Sequence, residues 1–162
     1  MNSNEIFLAD AIEAIDEVLA SGGTFRIYPR GKSMLPLIVE ERDSVVLSRE
    51  KDVPLKKYDI AFYRRRDGHF VLHRVMRVEN DGTYTMCGDN QLVYERGITP
   101  AHIIARVCEI TRNGKSIKLD GFFYSAYVFF WSVKPIRWMA FFPRRAIGKI
   151  KRIFRRLFAK DA

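Results

Sequence analysis

Between residues 24 and 120 the chain never sustains a helical period. It breaks instead into short β-prone runs at residues 24–28, 44–48, 58–63, 70–78, 83–87, 103–111 and 116–119. Three of the gaps carry Asp67-Gly68, Asp81-Gly82 and Asn113-Gly114, dipeptides that accept the positive backbone dihedrals of a tight hairpin turn. Short strands joined by tight turns favour antiparallel pairing, so the pattern predicts a mainly β fold with an antiparallel body. A length of 162 residues with 48% hydrophobic and 13% aromatic content supports one domain with a real core and excludes a disordered chain.

A helix is predicted ahead of this body, over residues 4–20. Leu8, Ile12, Ile15 and Leu19 fall on one face, Asn2 and Glu5 are placed like a capping box, and Gly22-Gly23 ends the run. The chain thus divides into an amphipathic helix at 1–23, a β body at 24–120 and an aromatic, basic segment at 121–162.

Charge separates the third part from the rest. Residues 1–133 hold 18 Lys/Arg against 18 Asp/Glu, whereas residues 134–162 hold 10 Lys/Arg against Asp161 alone. A basic patch suits nucleic acid or an anionic membrane equally, and the neighbouring aromatics, from Phe122 to Trp131 and on through Phe142, favour the membrane. The uncharged stretch stops at Lys134, short of the ~20 residues that cross a bilayer, and Pro135 and Pro143 interrupt it. Beyond Pro143, Ile147, Ile150, Phe154 and Leu157 share a helical face while Lys149, Arg152, Arg155 and Arg156 cover the rest, the pattern of a helix lying in a membrane interface. An anionic membrane surface through residues 122–158 is therefore the expected partner, with no nucleic acid. A C-terminal hairpin packed on the body is the alternative.

Cys87 and Cys108 are too few for a disulfide scaffold and read as small buried strand thiols. The first twenty residues carry Glu5, Asp10, Glu13, Asp16 and Glu17 and lack the basic start and apolar core of a secretory leader.

Two residues suggest chemistry. Ser33 lies in Gly31-Lys32-Ser33-Met34-Leu35-Pro36, where Gly31 permits a tight turn and Pro36 fixes the chain just beyond. His73 interrupts the apolar run Phe70-Val71-Leu72-His73-Arg74-Val75. A serine hydroxyl is a poor nucleophile until a base takes its proton, and an imidazole on a rigid strand is a suitable base. By themselves an ordinary turn serine and a hydrogen-bonded interior histidine explain both residues. The rest of the pattern is more specific: Arg42-Asp43-Ser44-Val45-Val46, Tyr58-Asp59-Ile60-Ala61-Phe62-Tyr63, Leu72-His73-Arg74-Val75 and Gly88-Asp89-Asn90 follow the serine block in order. Over roughly residues 24–110 the chain resembles the signal peptidase I-like serine peptidases, the clan that also holds the self-cleaving repressors. Within it, a histidine at position 73 resembles the endoplasmic-reticulum and archaeal type, where bacterial-type enzymes carry lysine.

The resemblance implies a signal-peptidase-like β body and three catalytic residues. Ser33 is the nucleophile, His73 the general base, and Asp89 the acid that holds the imidazole in its useful tautomer. Gly31, Met34 and Leu35 are the implied substrate-binding residues, and the Ser33 backbone N–H the implied oxyanion donor. Some relatives add a hydroxyl two residues before the nucleophile; here that position is Gly31, and a missing donor can cost roughly 3 kcal/mol of transition-state stabilisation. Asp89 in Gly88-Asp89-Asn90 also reads as a turn cap, and Asp43 and Asp59 as turn-fixing acids. His69 is a rival base on the same strand face. It stands four residues from His73, ~13 Å along a strand, so the two cannot share a metal ion, and neither metal nor cofactor is expected. Arg64-Arg65-Arg66 reads as a solvated hairpin end.

The function so predicted is a membrane-associated serine endopeptidase that cuts a signal- or leader-like precursor, peripheral on a cell membrane through its C-terminal segment, the side of that membrane left open. Two other classes stay open: a self-cleaving regulatory module, and a non-catalytic membrane-binding β domain.

Overall fold

A computed structural model describes residues 3–50, 53–133, 135–137 and 139, residues 3–11 by backbone alone. Helix α1 (Ser3–Ala20) leads into eight strands: β1 (Thr24–Ile27), β2 (Asp43–Ser48), β3 (Ile60–Arg64), β4 (Phe70–Val78), β5 (Tyr84–Cys87), β6 (Glu95–Ile98), β7 (Ile103–Arg112) and β8 (Lys115–Ile117). Helix α2 (Phe122–Ser132) follows. All pairings are antiparallel and make one open sheet in the order β1-β2-β7-β3-β4-β5-β6, with β8 on β7. The mainly β class expected from the sequence is the class observed. Each turn dipeptide closes a hairpin: Gly68, Gly82 and Gly114 have φ of 88°, 78° and 74°, and Asn113 has φ of 48°.

Because side chains alternate across a strand, each face of the sheet gathers its own core. On one face Val45, Leu47, Ile60, Phe62, Leu72, Val107 and Ile110 meet Met34, Leu37 and Ile38 from the connection between β1 and β2, together with Ile15 and Leu19 of α1. The predicted apolar stripe of α1 is the face it buries, with Ile12 partly covered; Leu8, Asn2 and Glu5 lie outside the described side chains. On the other face Ala61, Tyr63, Val75, Met86 and Ile98 form a smaller core.

Helix α2 is short and lies on the first face, where Val128 is buried and Tyr124 and Tyr127 pack against the core. Its other side leaves Phe122, Phe123, Phe129 and Phe130 exposed. No helix among the described residues is long and apolar enough to cross a membrane. The interface helix predicted beyond Pro143 lies outside the described residues.

One strand and two burial expectations differ from the sequence pattern. Strand β6 went unread because Glu95-Arg96-Gly97-Ile98 has no apolar alternation; it forms by completing the edge of β5. Cys87 is buried, but Cys108 is exposed, at the point where the β2–β7 register shifts and its residue has no partner across the ladder. Met34, implied as a substrate-binding residue, is buried in the core.

Candidate active site

The register of β4 and β5 builds the site. Arg74 pairs with Cys87, so His73, one residue back, faces Gly88, one residue on. Into this position comes the backbone of Ser33, carried by the turn-rich connection between β1 and β2. The main-chain N–H of Asn90 donates to the Ser33 carbonyl at 2.7 Å, and the Asn90 side-chain amide donates to the Lys32 carbonyl at 2.8 Å. A Cβ at Gly88 would stand 2.6 Å from the Ser33 carbonyl oxygen and 3.1 Å from both Nε2 and Cδ2 of His73. The nucleophile candidate and the base candidate therefore flank one methyl-sized space, and only glycine leaves it open. Gly31 is needed for a different reason: its φ is 93°, while a Cβ there would meet nothing within 4 Å.

His73 is 1% exposed and its two ring nitrogens face different chemistry. Nδ1 lies 3.2 Å from the Tyr63 hydroxyl and 3.1 Å from Glu95 Oε1. Tyr63 gives its own proton to Glu95 Oε2 at 2.8 Å, which leaves the phenol oxygen free to accept from Nδ1–H. That arrangement puts the proton on Nδ1 and a bare lone pair on Nε2, the nitrogen beside Gly88 and the Ser33 main chain. Arg65 completes the cluster, its Nε donating to Glu95 Oε2 at 2.7 Å and its Nη2 to Oε1. No hydrogen bond joins Ser33 Oγ to His73 in this structure.

The electrostatics follow the burial. Desolvation pushes the His73 imidazolium down to about 4; Glu95 pulls the other way, and Arg65 reinforces the drop. Burial works to raise the Glu95 carboxyl, but hydrogen bonds from Arg65 and Tyr63 outweigh it and hold the group below its ordinary value. The Tyr63 phenol is raised, first by burial and then by the carboxylate it serves. At neutral pH the site thus holds a neutral imidazole between an ionised carboxylate and a nucleophile candidate.

A pH dependence follows with a definite sign. The unfolded chain takes up a proton on this histidine near its ordinary value, whereas the folded chain resists until about pH 4. The contribution to stability is complete above the unfolded value and is lost as pH falls through that window to the folded one. A shift of this size is about 3 kcal/mol. An NMR titration of the His73 ring should show its midpoint near pH 4, with urea midpoints falling over the same window less steeply in His73→Asn. A midpoint near the ordinary histidine value would overturn the assignment of a desolvated, neutral base.

Asp89 does not occupy the place expected beside the imidazole. It follows Gly88, so it points to the opposite face, where Arg74 also points. There Arg74 Nε and Nη2 donate to Asp89 Oδ1 and Oδ2 at 2.9 and 2.7 Å, both side chains being almost completely buried. Tyr127 donates to Asp89 Oδ2 at 2.9 Å, Trp131 Nε1 to the Asp89 carbonyl at 2.7 Å, and Arg74 also reaches the Tyr58 carbonyl and the Tyr124 hydroxyl. Asp89 thus anchors residues 88–91, the turn that holds Ser33, and the carboxylate nearest His73 Nδ1 is Glu95.

Around this centre lie the other residues named from the sequence. Met34 lines, with Ser33, Pro29, Gly31, Phe70 and Leu72, a small cavity of about 90 Å³, while Leu35 is half-buried outside it. Asp43 accepts from the Val39 N–H and from Arg42, and Asp59 from the Lys56 N–H, so both act as turn-fixing acids. His69 is largely exposed and ties to Asp67 at the hairpin end. Arg65 is a correction: rather than a solvated hairpin residue it is the cation on Glu95. Among the described residues no group of three or more His, Cys, Asp or Glu is gathered that could hold a metal ion.

The sequence assigns no role at the site to Tyr63, Arg65, Glu95 or Arg74. The one available signal was Arg74 itself, since a cation in an apolar strand requires a buried counter-charge. Comparison with family models, with curated proteins and with solved structures finds no match for this chain.

Proposed function

We propose that this chain is a membrane-associated serine endopeptidase that cuts a signal- or leader-like peptide, with Ser33 as nucleophile, His73 as general base and Glu95, through Tyr63, as the group that orients the base. The observation that carries the reading is the state of His73: buried, neutral, its Nδ1 held by Tyr63 and Glu95 and its Nε2 turned to the Ser33 main chain across Gly88.

The chemistry runs through these atoms. Ser33 Oγ attacks the scissile carbonyl carbon while its proton passes to His73 Nε2, the hydrogen bond between them forming as substrate seats. The oxyanion is received by the Ser33 backbone N–H, which has no acceptor among the described residues. Glu95, 3.1 Å from Nδ1, stabilises the imidazolium that forms. The imidazolium then returns its proton to the leaving amine. Water, deprotonated by the same imidazole, attacks the acyl-serine and frees a carboxylate with Ser33 Oγ–H restored.

The substrate class follows from shape. Strand β1 ends the sheet, so one side of its backbone is free to pair with an extended peptide, and it runs directly into residues 28–33. The cavity beside Ser33 has room for a small side chain only. Digestion of a peptide library with the purified protein, read by mass spectrometry, should give discrete cuts after small residues. A library left intact, with and without lipid vesicles present, would show instead a non-catalytic domain.

A further inference from the structure

Helix α2 has two chemically distinct faces, and only one is accounted for by packing. Tyr127 and Trp131, stacked on each other with ring centroids 5.8 Å apart, turn their polar tips inward to Asp89. Arg137, 1% exposed, reaches the same turn from just beyond the helix, donating to the Gly88 and Gln91 carbonyls at 3.3 and 3.0 Å. Thus three residues of this segment grip residues 88–91, and those residues in turn hold the Ser33 carbonyl through Asn90.

The opposite face carries no polar tip at all. Phe122, Phe123, Phe129 and Phe130 are 81%, 87%, 66% and 57% exposed, and at 100° per residue they fall within one stripe about 120° wide. Four phenylalanines held in water on one helix face are a large apolar patch for a protein of this size. The charge that follows identifies the occupant: apart from the buried Arg137, residues 134–162 carry 9 Lys/Arg against one acid. An apolar aromatic stripe continuous in sequence with dense positive charge fits the headgroup boundary of an anionic bilayer, rings in the acyl edge and cations among the phosphates. At 11 residues α2 spans about 16 Å, which suits a helix lying in the surface and not one crossing it.

We propose that the Phe122, Phe123, Phe129 and Phe130 face of α2 inserts into an anionic lipid surface, and that this contact tightens the grip of Tyr127, Trp131 and Arg137 on residues 88–91 and so orders the Ser33–His73 site. The insertion rests on the membrane association proposed above; the coupling goes beyond it. A lipid-bound α2 loses freedom to rock, and what it holds on its inner side loses the same freedom.

The test needs no turnover. Hydrogen–deuterium exchange of residues 86–92 is followed with the full chain alone, with phosphatidylcholine vesicles and with mixed phosphatidylcholine–phosphatidylglycerol vesicles, alongside co-sedimentation. The Asn90 and Gln91 amides, which bond the Ser33 and Gly88 carbonyls, should exchange about fivefold more slowly or better on anionic vesicles, the lower end of ordinary coupling between two sites. Replacing all four phenylalanines with serine should abolish that slowing, with the thermal midpoint retained because the side chains are exposed. Trp131→Phe, which keeps an aromatic ring but deletes the bond to the Asp89 carbonyl, should still sediment with vesicles and lose the slowing. Vesicle binding with unchanged exchange at residues 86–92 overturns the coupling. Absence of binding, or a self-associated dimer that the serine variant abolishes, overturns the lipid surface. Failure to cut any peptide touches only the peptidase reading, because neither measurement depends on cleavage.

Discussion

Ser33→Ala should lower kcat by about six orders of magnitude, the loss seen when the nucleophile of a serine triad is removed and only binding and the oxyanion site remain. The fold should not notice. Among the described residues the Ser33 side chain makes no hydrogen bond; what the structure uses is the Ser33 carbonyl, held by the Asn90 N–H at 2.7 Å, and alanine keeps that carbonyl. Thermal midpoints of the two proteins should therefore agree while their rates part. Cleavage by Ser33→Ala at the wild-type rate would remove the serine from the mechanism, and a parallel collapse of rate and midpoint would make it a structural residue of the turn.

Asp89→Asn and Glu95→Gln should fail in opposite ways. Asp89 sits against Arg74 with both groups out of water; removing its charge leaves a buried guanidinium uncompensated, a change that costs about 3–5 kcal/mol in comparable pairs. Burial works to lower the Arg74 value and Asp89 with Tyr124 reverses that; a guanidinium stays protonated in proteins even without such a partner, so the cation persists after the substitution. Glu95 is partly open, and its Arg65 partner retains solvent on one side, so Glu95→Gln should cost little stability. Its loss should appear in kcat, by up to about four orders of magnitude, as when the orienting acid of a triad becomes an amide. Urea denaturation and steady-state rates on the same pair of variants separate the roles. Intact stability with lost kcat in Asp89→Asn would return the orienting role to that residue.

Much of this arrangement was visible in the chain and some was not, for physical reasons. The strands and their turns were legible because they rest on local signals: period-two apolar runs and dipeptides that accept positive φ. Ser33 and His73 were legible as residue types in ordered blocks, and they do converge on Gly88. The carboxylate beside His73 was not legible. Asp89 is close to Gly88 in sequence, but alternation of side chains sends it through the sheet to Arg74. Glu95 reaches His73 only because β5 and β6 pair Met86 with Glu95, a long-range register that nothing in the sequence around Glu95 announces. The same holds for Arg65, one of three consecutive arginines of which the fold pairs a single member with the carboxylate. Packing of this segment on the body was an open alternative, but which residues of α2 dock was hidden by its composition: a run of Phe, Tyr and Trp reads as uniformly aromatic until the positions are sorted by face.

The alternation of His73 and Arg74 on one strand has a consequence for how such a chain can change. Neighbouring residues serve opposite sides of the sheet, one side holding the imidazole cluster and the other the buried ion pair under α2. A single-residue insertion or deletion between β4 and β5 that slid their pairing would leave β4 held by β3 and turn β5 over, carrying Asp89 to the imidazole's side and leaving the buried guanidinium without its counter-charge. The hairpin around Asp81-Gly82 is thus bound to a fixed length, while the hairpin around Asn113-Gly114, which joins only β7 and β8, is free to vary. Descendants of this sequence would carry their length differences in the second hairpin and not in the first.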